Sequence, residues 1–319
     1  MTTRRFLLAA ALAASTAIPV SRAKAQNPNE GYVTSSDSVH LFYRVVGSGR
    51  DTIIAVHGGP GVDLESIFGD FAPLAEQHVV IFYDQRGSGR STLPRDTTVL
   101  TAAAQISDLD AIRRHFKLDR VILVAHSYGP LLAATYAIAH PEHVRAMVFF
   151  GPVPPHRGDL WQRFGRTMRK RMDSAQTARS ADANRRLAAG DNIRQACRDY
   201  WVIALRPRVA DPEQSLSRIR SDLCASDPAG IRYGLRTTNG VVMASYGDWD
   251  LRPSLRSLQI PTLVMHGEED AIPMDMVTEW TMIPKSRLVR VPRAAHMLYA
   301  EQPDVVWPEV MRFLNELPR

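Results

Sequence analysis

The sequence predicts an α/β fold, with a mostly parallel sheet, helices on both of its faces and a helical segment inserted between two strands. Three observations predict it. Short β-branched and aromatic runs alternate with helical patterns from residue 39 onward. That alternation stops at Gly151-Pro152-Val153-Pro154-Pro155, and it resumes near Ile260-Pro261 after roughly a hundred residues of helical, arginine-rich sequence. At 319 residues and 45% hydrophobic content, the chain can bury a full core.

The first 25 residues do not fit that core. Arg4 and Arg5 precede an apolar run over 6–18 and the small-x-small signal Ala23-Lys24-Ala25, which predicts an export leader cleaved before Gln26. Thr3-Arg4-Arg5-Phe6-Leu7-Leu8 also resembles a twin-arginine signal, and an exported, periplasmic or secreted bacterial protein is expected. The strand runs follow at 39–46, 52–56, 79–83, 121–125, 146–150, 262–266 and 287–291. The first, with Gly47-Ser48-Gly49 before Thr52, reads as an antiparallel edge hairpin. The core is therefore divided into 26–151 and 251–319 around a helical lid at 152–250.

Charge argues against a nucleic-acid partner. The formal charge is +6, and the leader accounts for Arg4, Arg5, Arg22 and Lys24 and no acid, so its removal leaves +2. Seventeen Lys and Arg against eleven Asp and Glu give the 152–250 segment +6, leaving the rest of the mature chain at −4. No segment after the leader is long and apolar enough to span a membrane. Cys197 and Cys224 are the two cysteines. In an oxidising compartment they can close a disulfide; two buried thiols are the alternative.

The strongest chemical signal is the apolar run 121–125 leading through His126 into Ser127-Tyr128-Gly129 and a helical pattern over 131–139. A tight strand-to-helix turn of this kind exposes a serine hydroxyl as a nucleophile, provided the residues two before and two after it are small. Alone, the serine could equally cap a helix. What changes the balance is the order Ser, Asp, His. Gly267-Glu268-Glu269-Asp270 follows one strand run and Arg293-Ala294-Ala295-His296 follows another, both at carboxyl ends where open sheets gather functional groups. Asp270 is preferred over Glu268, Glu269 and Asp275 because its short side chain holds an imidazole with less freedom. His57-Gly58-Gly59-Pro60-Gly61 follows the run 52–56. Its glycines let backbone N–H groups face an oxyanion, with Gly59 preferred, Gly58 second, and the N–H of Tyr128 completing the pair.

His57-Gly58-Gly59-Pro60-Gly61, Tyr83-Asp84-Gln85-Arg86-Gly87-Ser88-Gly89-Arg90-Ser91, the turn at Ser127, Gly267-x-x-Asp270 and His296-x4-Glu301-x-Pro303 together resemble the α/β-hydrolases and, within them, the proline iminopeptidases. The resemblance covers about 31–151 and 251–319. It implies an eight-stranded α/β-hydrolase sheet, Ser127, Asp270 and His296 as catalytic triad, Gly59 and Tyr128 as oxyanion hole, a structural role for 84–91, and aminopeptidase activity without a cofactor. This sequence departs from the family at Ala125, where the family has glycine, and at Tyr128, where tryptophan is common. The 152–250 segment holds Glu213 as its single glutamate, whereas these peptidases grip a substrate α-ammonium with acidic lid residues. A basic lid favours a carboxylate instead, unless Asp248 or Asp250 lines the pocket.

The expected reaction is attack of Ser127 on an ester or amide carbonyl, with His296 as base and Asp270 orienting it. A carboxylesterase or lactonase with the same triad is the rival enzyme, and a non-catalytic ligand-binding protein, suggested by Ala125, is the rival of another class. The expected partner is a small molecule or short peptide, with no metal. In His140-Pro141-Glu142-His143 the proline breaks the helix and zincin spacing is absent, so a turn is expected. His57, His126 and His266 are expected to shape the site rather than titrate in it. Lid packing is the default for Trp161, Tyr200, Trp201, Tyr246 and Trp249, with substrate contact the alternative.

Overall fold

The computed structural model describes residues 29–49 and 51–318; the leader expected at 1–25 lies outside them. The strands are β1 (Glu30–Thr34), β2 (His40–Val46), β3 (Thr52–Val56), β4 (Val79–Tyr83), β5 (Val121–His126), β6 (Val144–Phe150), β7 (Thr262–Gly267) and β8 (Ser286–Val291). They form one sheet in the order β1-β2-β4-β3-β5-β6-β7-β8. β1 pairs antiparallel with β2, and β2 with β4; every later pairing is parallel.

Alternation along the central strands divides the core in two, because successive side chains point to opposite faces. Ile54, Val56, Met147 and Phe149 join one cluster, and Ile53, Ala55, Val148 and Phe150 join the other. The first face is covered by α2 (Ala102–His115) and α3 (Gly129–Ala139), the second by the short α1 (Glu65–Phe68) and, later in the chain, by the helix over 303–316. β5 is buried at all six positions, as a strand with both faces covered must be.

Between β6 and β7 the chain forms α4 (Leu160–Lys170), α5 (Ser174–Ala189), α6 (Ile193–Leu205), α7 (Pro212–Ser215), α8 (Pro228–Tyr233), α9 (Asn239–Ser245) and α10 (Arg252–Leu255), with a π-helical turn at Gly234–Thr238. This insertion has its own small core of Leu187, Ala196, Cys197, Cys224 and Ile231. Cys197 and Cys224 are disulfide-bonded, with their Cα atoms 5.9 Å apart. After β7 come α11 (Met274–Thr278), α12 (Leu298–Glu301) and α13 (Pro303–Glu316).

The edge differs from the sequence reading in two respects. β1, which completes the eight strands, has no counterpart among the seven runs: only one of its five residues is buried, so it carries little hydrophobic pattern. The hairpin partner of β2 is β1 rather than β3, and β4 lies between β2 and β3. Gly47 and Gly49 do not form a tight turn. They let the chain cross the start of β4, where a Cβ on Gly49 would lie 1.9 Å from the Gln77 carbonyl oxygen.

Candidate active site

The five motifs of the resemblance sit at the carboxyl ends of strands. His57–Gly61 follows β3, 84–91 follows β4, Ser127 follows β5, Asp270 follows β7 and His296 follows β8. Ser127 has φ +60°, a left-handed conformation that costs a non-glycine residue about 1–3 kcal/mol and persists only where its surroundings enforce it. The enforcement is visible. The Ser127 N–H donates to the Phe150 carbonyl and the Val153 N–H donates to the Ser127 carbonyl, both at 2.9 Å. Ala125, the departure from the family pattern, is buried in β5 between Val56 and Phe149, and its methyl group does not open the turn. Gly58 lies so close that a Cβ there would stand 2.9 Å from the Ser127 Cβ.

The structure brings Ser127, His296 and Asp270 into one hydrogen-bonded line. His296 Nε2 is 2.9 Å from Ser127 Oγ, and His296 Nδ1 is 2.9 Å from Asp270 Oδ2. With the carboxylate accepting from Nδ1–H, Nε2 is left free to take the serine proton. Burial pushes the Asp270 carboxyl up, but His296 and His266 beside it and hydrogen bonds from His296 and the Ile272 amide overcome this and hold it at about 2. Glu268 and Glu269 face solvent, and Asp275 forms a two-pronged pair with Arg163, so Asp270 is the carboxylate against His296.

Three further histidines line the framework as neutral groups. Burial lowers His57 to about 4, and its ring accepts from the Gln85 N–H and donates to the Gly58 carbonyl. Burial and the neighbouring His296 lower His126 to about 3; its Nε2 contacts the His296 carbonyl oxygen at 3.1 Å. Burial also lowers His266, whose Nε2 contacts the Ile272 carbonyl oxygen. In the 84–91 loop, Arg86 forms paired bonds with buried Asp108 and with Asp37, while Asp84 accepts from the amides of Leu64 and Arg90. That loop braces the site from behind. The Tyr128 side chain points away from it, donating to Gln105 Oε1 at 2.6 Å and lying 3.1 Å from the Tyr246 hydroxyl.

Glu301, present in the sequence motif without an assigned role, is buried beneath His296. Its Oε1 accepts from the Ala295 and Met297 amides, and its Oε2 accepts from the Ala210 amide and lies 3.4 Å from Ser215 Oγ. One carboxylate thus joins the loop carrying His296 to the insertion.

A cavity of about 430 Å³ opens over Ser127. Gly58, Gly59, Ser127 and His296 form its floor, and the insertion contributes Trp161, Tyr200 and Trp201. Tyr246 and Trp249 instead pack against one another and the core. Among the described residues the lining includes no Asp or Glu, and Asp248 and Asp250 face solvent. Pro141–His143 is a 3-10 turn after α3.

Comparison with known proteins agrees with this fold. A family model described as alpha/beta hydrolase fold matches residues 51–303. Proline iminopeptidase of Heyndrickxia coagulans is 27% identical over 297 residues, covering 90% of this chain and 99% of that protein. Proline iminopeptidase of Lactiplantibacillus plantarum is 26% identical, covering 86% and 94%. Among solved structures, proline iminopeptidase of Mycobacterium smegmatis superposes with a TM-score of 0.67 at 21% identity, covering 90% of this chain and 98% of that one. A thermophilic esterase from Thermogutta terrifontis gives 0.65 at 22% identity, with 90% and 98% covered.

Proposed function

The chain belongs to the α/β-hydrolase fold family, and from that premise we propose that it is a serine hydrolase cleaving an ester or amide bond through an acyl-enzyme on Ser127. The observation that carries this reading is the unbroken line from Ser127 Oγ through His296 to Asp270. Ser127 Oγ attacks the substrate carbonyl as His296 Nε2 takes its proton. Asp270, ionised and buried, fixes the imidazole tautomer and stabilises its cation. The N–H groups of Gly59 and Tyr128 receive the developing oxyanion. The imidazolium then protonates the leaving group, and water, activated by the same histidine, releases the acid.

Between the two bonds, the names of the relatives support an aminopeptidase acting at an N-terminal proline. That chemistry needs an anion for the substrate ammonium, and the cavity wall offers none among the described residues. The lining therefore favours the ester reading, a carboxylesterase or lactonase. A fluorophosphonate probe is expected to label the wild type and not Ser127→Ala, with kcat falling about 10⁴-fold or more in that variant. Folded wild-type protein that does not label would favour a binding protein instead. Comparing a prolyl arylamide with short acyl esters separates the two enzymes.

We also propose export. The Arg4-Arg5 leader pattern and a disulfide, which persists in oxidising compartments, support it. Fractionation of the full chain should recover a mature protein beginning near Gln26 outside the cytoplasm; an unprocessed cytoplasmic product would overturn this.

A further inference from the structure

The insertion's surplus of arginines is mostly spent on structure. Arg163 pairs with Asp275, Arg186 with Asp182 and Asp199, and Arg171 and Arg218 donate to the carbonyls of Glu269 and Glu301 in the core. The contacts to Asp275, Glu269 and Glu301 dock the insertion, those of Arg186 stay within it, and none of these arginines lines the cavity, so the net +6 of this segment is not what a substrate meets. Arg208 is different. It lines the cavity together with Ser127 and His296 and is, among the described residues, the one lining residue with a fixed positive charge.

Its surroundings leave that charge uncompensated. Nη1 donates to the Ala204 carbonyl, and the guanidinium lies 5.7 Å from the Phe164 ring centroid. No carboxylate among the described residues forms an ion pair with it. The carboxylate whose charge reaches it is Asp270, which is already engaged by His296 and the Ile272 amide. Burial accordingly pulls the guanidinium below its ordinary value. A half-buried guanidinium without an ion-pair partner is costly, and a fork of N–H donors is the group best suited to bind a carboxylate. Its position is fixed as well. The Arg208 carbonyl accepts from the His296 N–H at 2.9 Å, and two residues on, the Ala210 N–H donates to Glu301 at 2.7 Å. The arginine is thereby tied to the loop that carries the proposed base, rather than to a free surface of the insertion.

We propose that Arg208 is a carboxylate-binding subsite, and that the substrate is an ester or amide bearing a second, anionic carboxylate held by this guanidinium while the scissile carbonyl lies against Ser127. The proposal rests on the serine-hydrolase reading for its reaction but not for its binding.

The test compares kcat/KM for matched pairs with the carboxylate on either side of the bond: mono-4-nitrophenyl adipate against 4-nitrophenyl hexanoate, and 3-carboxyphenyl butyrate against phenyl butyrate. The wild type should favour the anionic member of at least one pair by about tenfold to a hundredfold, the range of a charge-assisted contact. In Arg208→Met, which keeps the stem over Phe164, the ratio should fall to near one, and Arg208→Lys should retain part of it. The lysine variant carries the test if the methionine variant does not fold. No anionic preference in either pair, or a preference that survives in Arg208→Met, overturns the subsite. A proportional loss on both members, with the ratio kept, would mean that Arg208 acts through Asp270, and it overturns the subsite equally. Should the wild type neither label nor hydrolyse, hexanoate itself is titrated calorimetrically into wild type and Arg208→Met. Binding weakened about tenfold or more in the variant keeps the subsite while the catalytic reading falls; equal or absent binding ends both.

Discussion

At the scale of single residues, the site depends on close approach. Gly58 stands where a Cβ would lie 2.9 Å from the Ser127 Cβ, and Ser127 already occupies a strained left-handed backbone. Gly58→Ala should therefore displace the nucleophile. A loss of kcat of about 100-fold is expected from an ångström-scale shift, with a stability loss of about 1–3 kcal/mol from overpacking. A variant with wild-type kcat would show that the turn can yield. Asp270 makes a second prediction. Its folded pKa is depressed to about 2 from 3.8, so its contribution is present above the unfolded value and lost as pH falls through the folded one. The stability gap between wild type and Asp270→Asn, of order 2 kcal/mol near pH 5, should shrink between pH 4 and pH 2 in denaturant titrations. A constant gap would contradict the assigned charge. The positions of Ser127, Asp270 and His296 were readable in the sequence because each follows a strand run. Arg208 was not, since nothing local separates it from sixteen other basic residues in the segment and its neighbours lie far along the chain.

At the scale of elements, Glu301 shows how a short helix holds distant segments of the chain. α12 places its carboxylate under the His296 loop, where one oxygen holds the amides of Ala295 and Met297 and the other holds Ala210 of the insertion. Every role is that of an acceptor. In Glu301→Gln the new amide sets a donor against at least one of these N–H groups, so both orientations of the side chain leave a buried conflict. A loss of about 1–3 kcal/mol in stability is expected, together with a reduced kcat as the imidazole loosens. Full kcat in a destabilised variant would reduce Glu301 to packing. The elements themselves were legible where burial on both faces leaves a strong pattern, as in β5 and β6. β1 was missed because an exposed edge strand leaves almost none, and β2 was given the wrong neighbour because Gly47 and Gly49 mark a close crossing as readily as a turn.

At the scale of the whole molecule, the insertion needs its own means of cohesion, because only a small apolar cluster lies within it. The Cys197–Cys224 bridge spans 27 residues and joins α6 to the segment before α8. Closing a loop of that size is worth about 3–4 kcal/mol in the chain-entropy account. The same elements carry the cavity wall: Tyr200, Trp201 and Leu205 lie on α6, and Leu223 adjoins Cys224. Opening the bridge should therefore lower the melting temperature and raise KM while fluorophosphonate labelling of Ser127 persists, since the triad stands on the sheet and not on the insertion. Cys197→Ser/Cys224→Ser, measured beside the reduced wild type, checks this. If neither melting temperature nor KM changes, the arginine contacts to core carbonyls hold the insertion unaided. The bridge also reports on location. Thiols trapped by alkylation should be oxidised in the chain carrying residues 1–25 and free in one lacking them and kept in the cytoplasm, and identical oxidation in both would separate the disulfide from export.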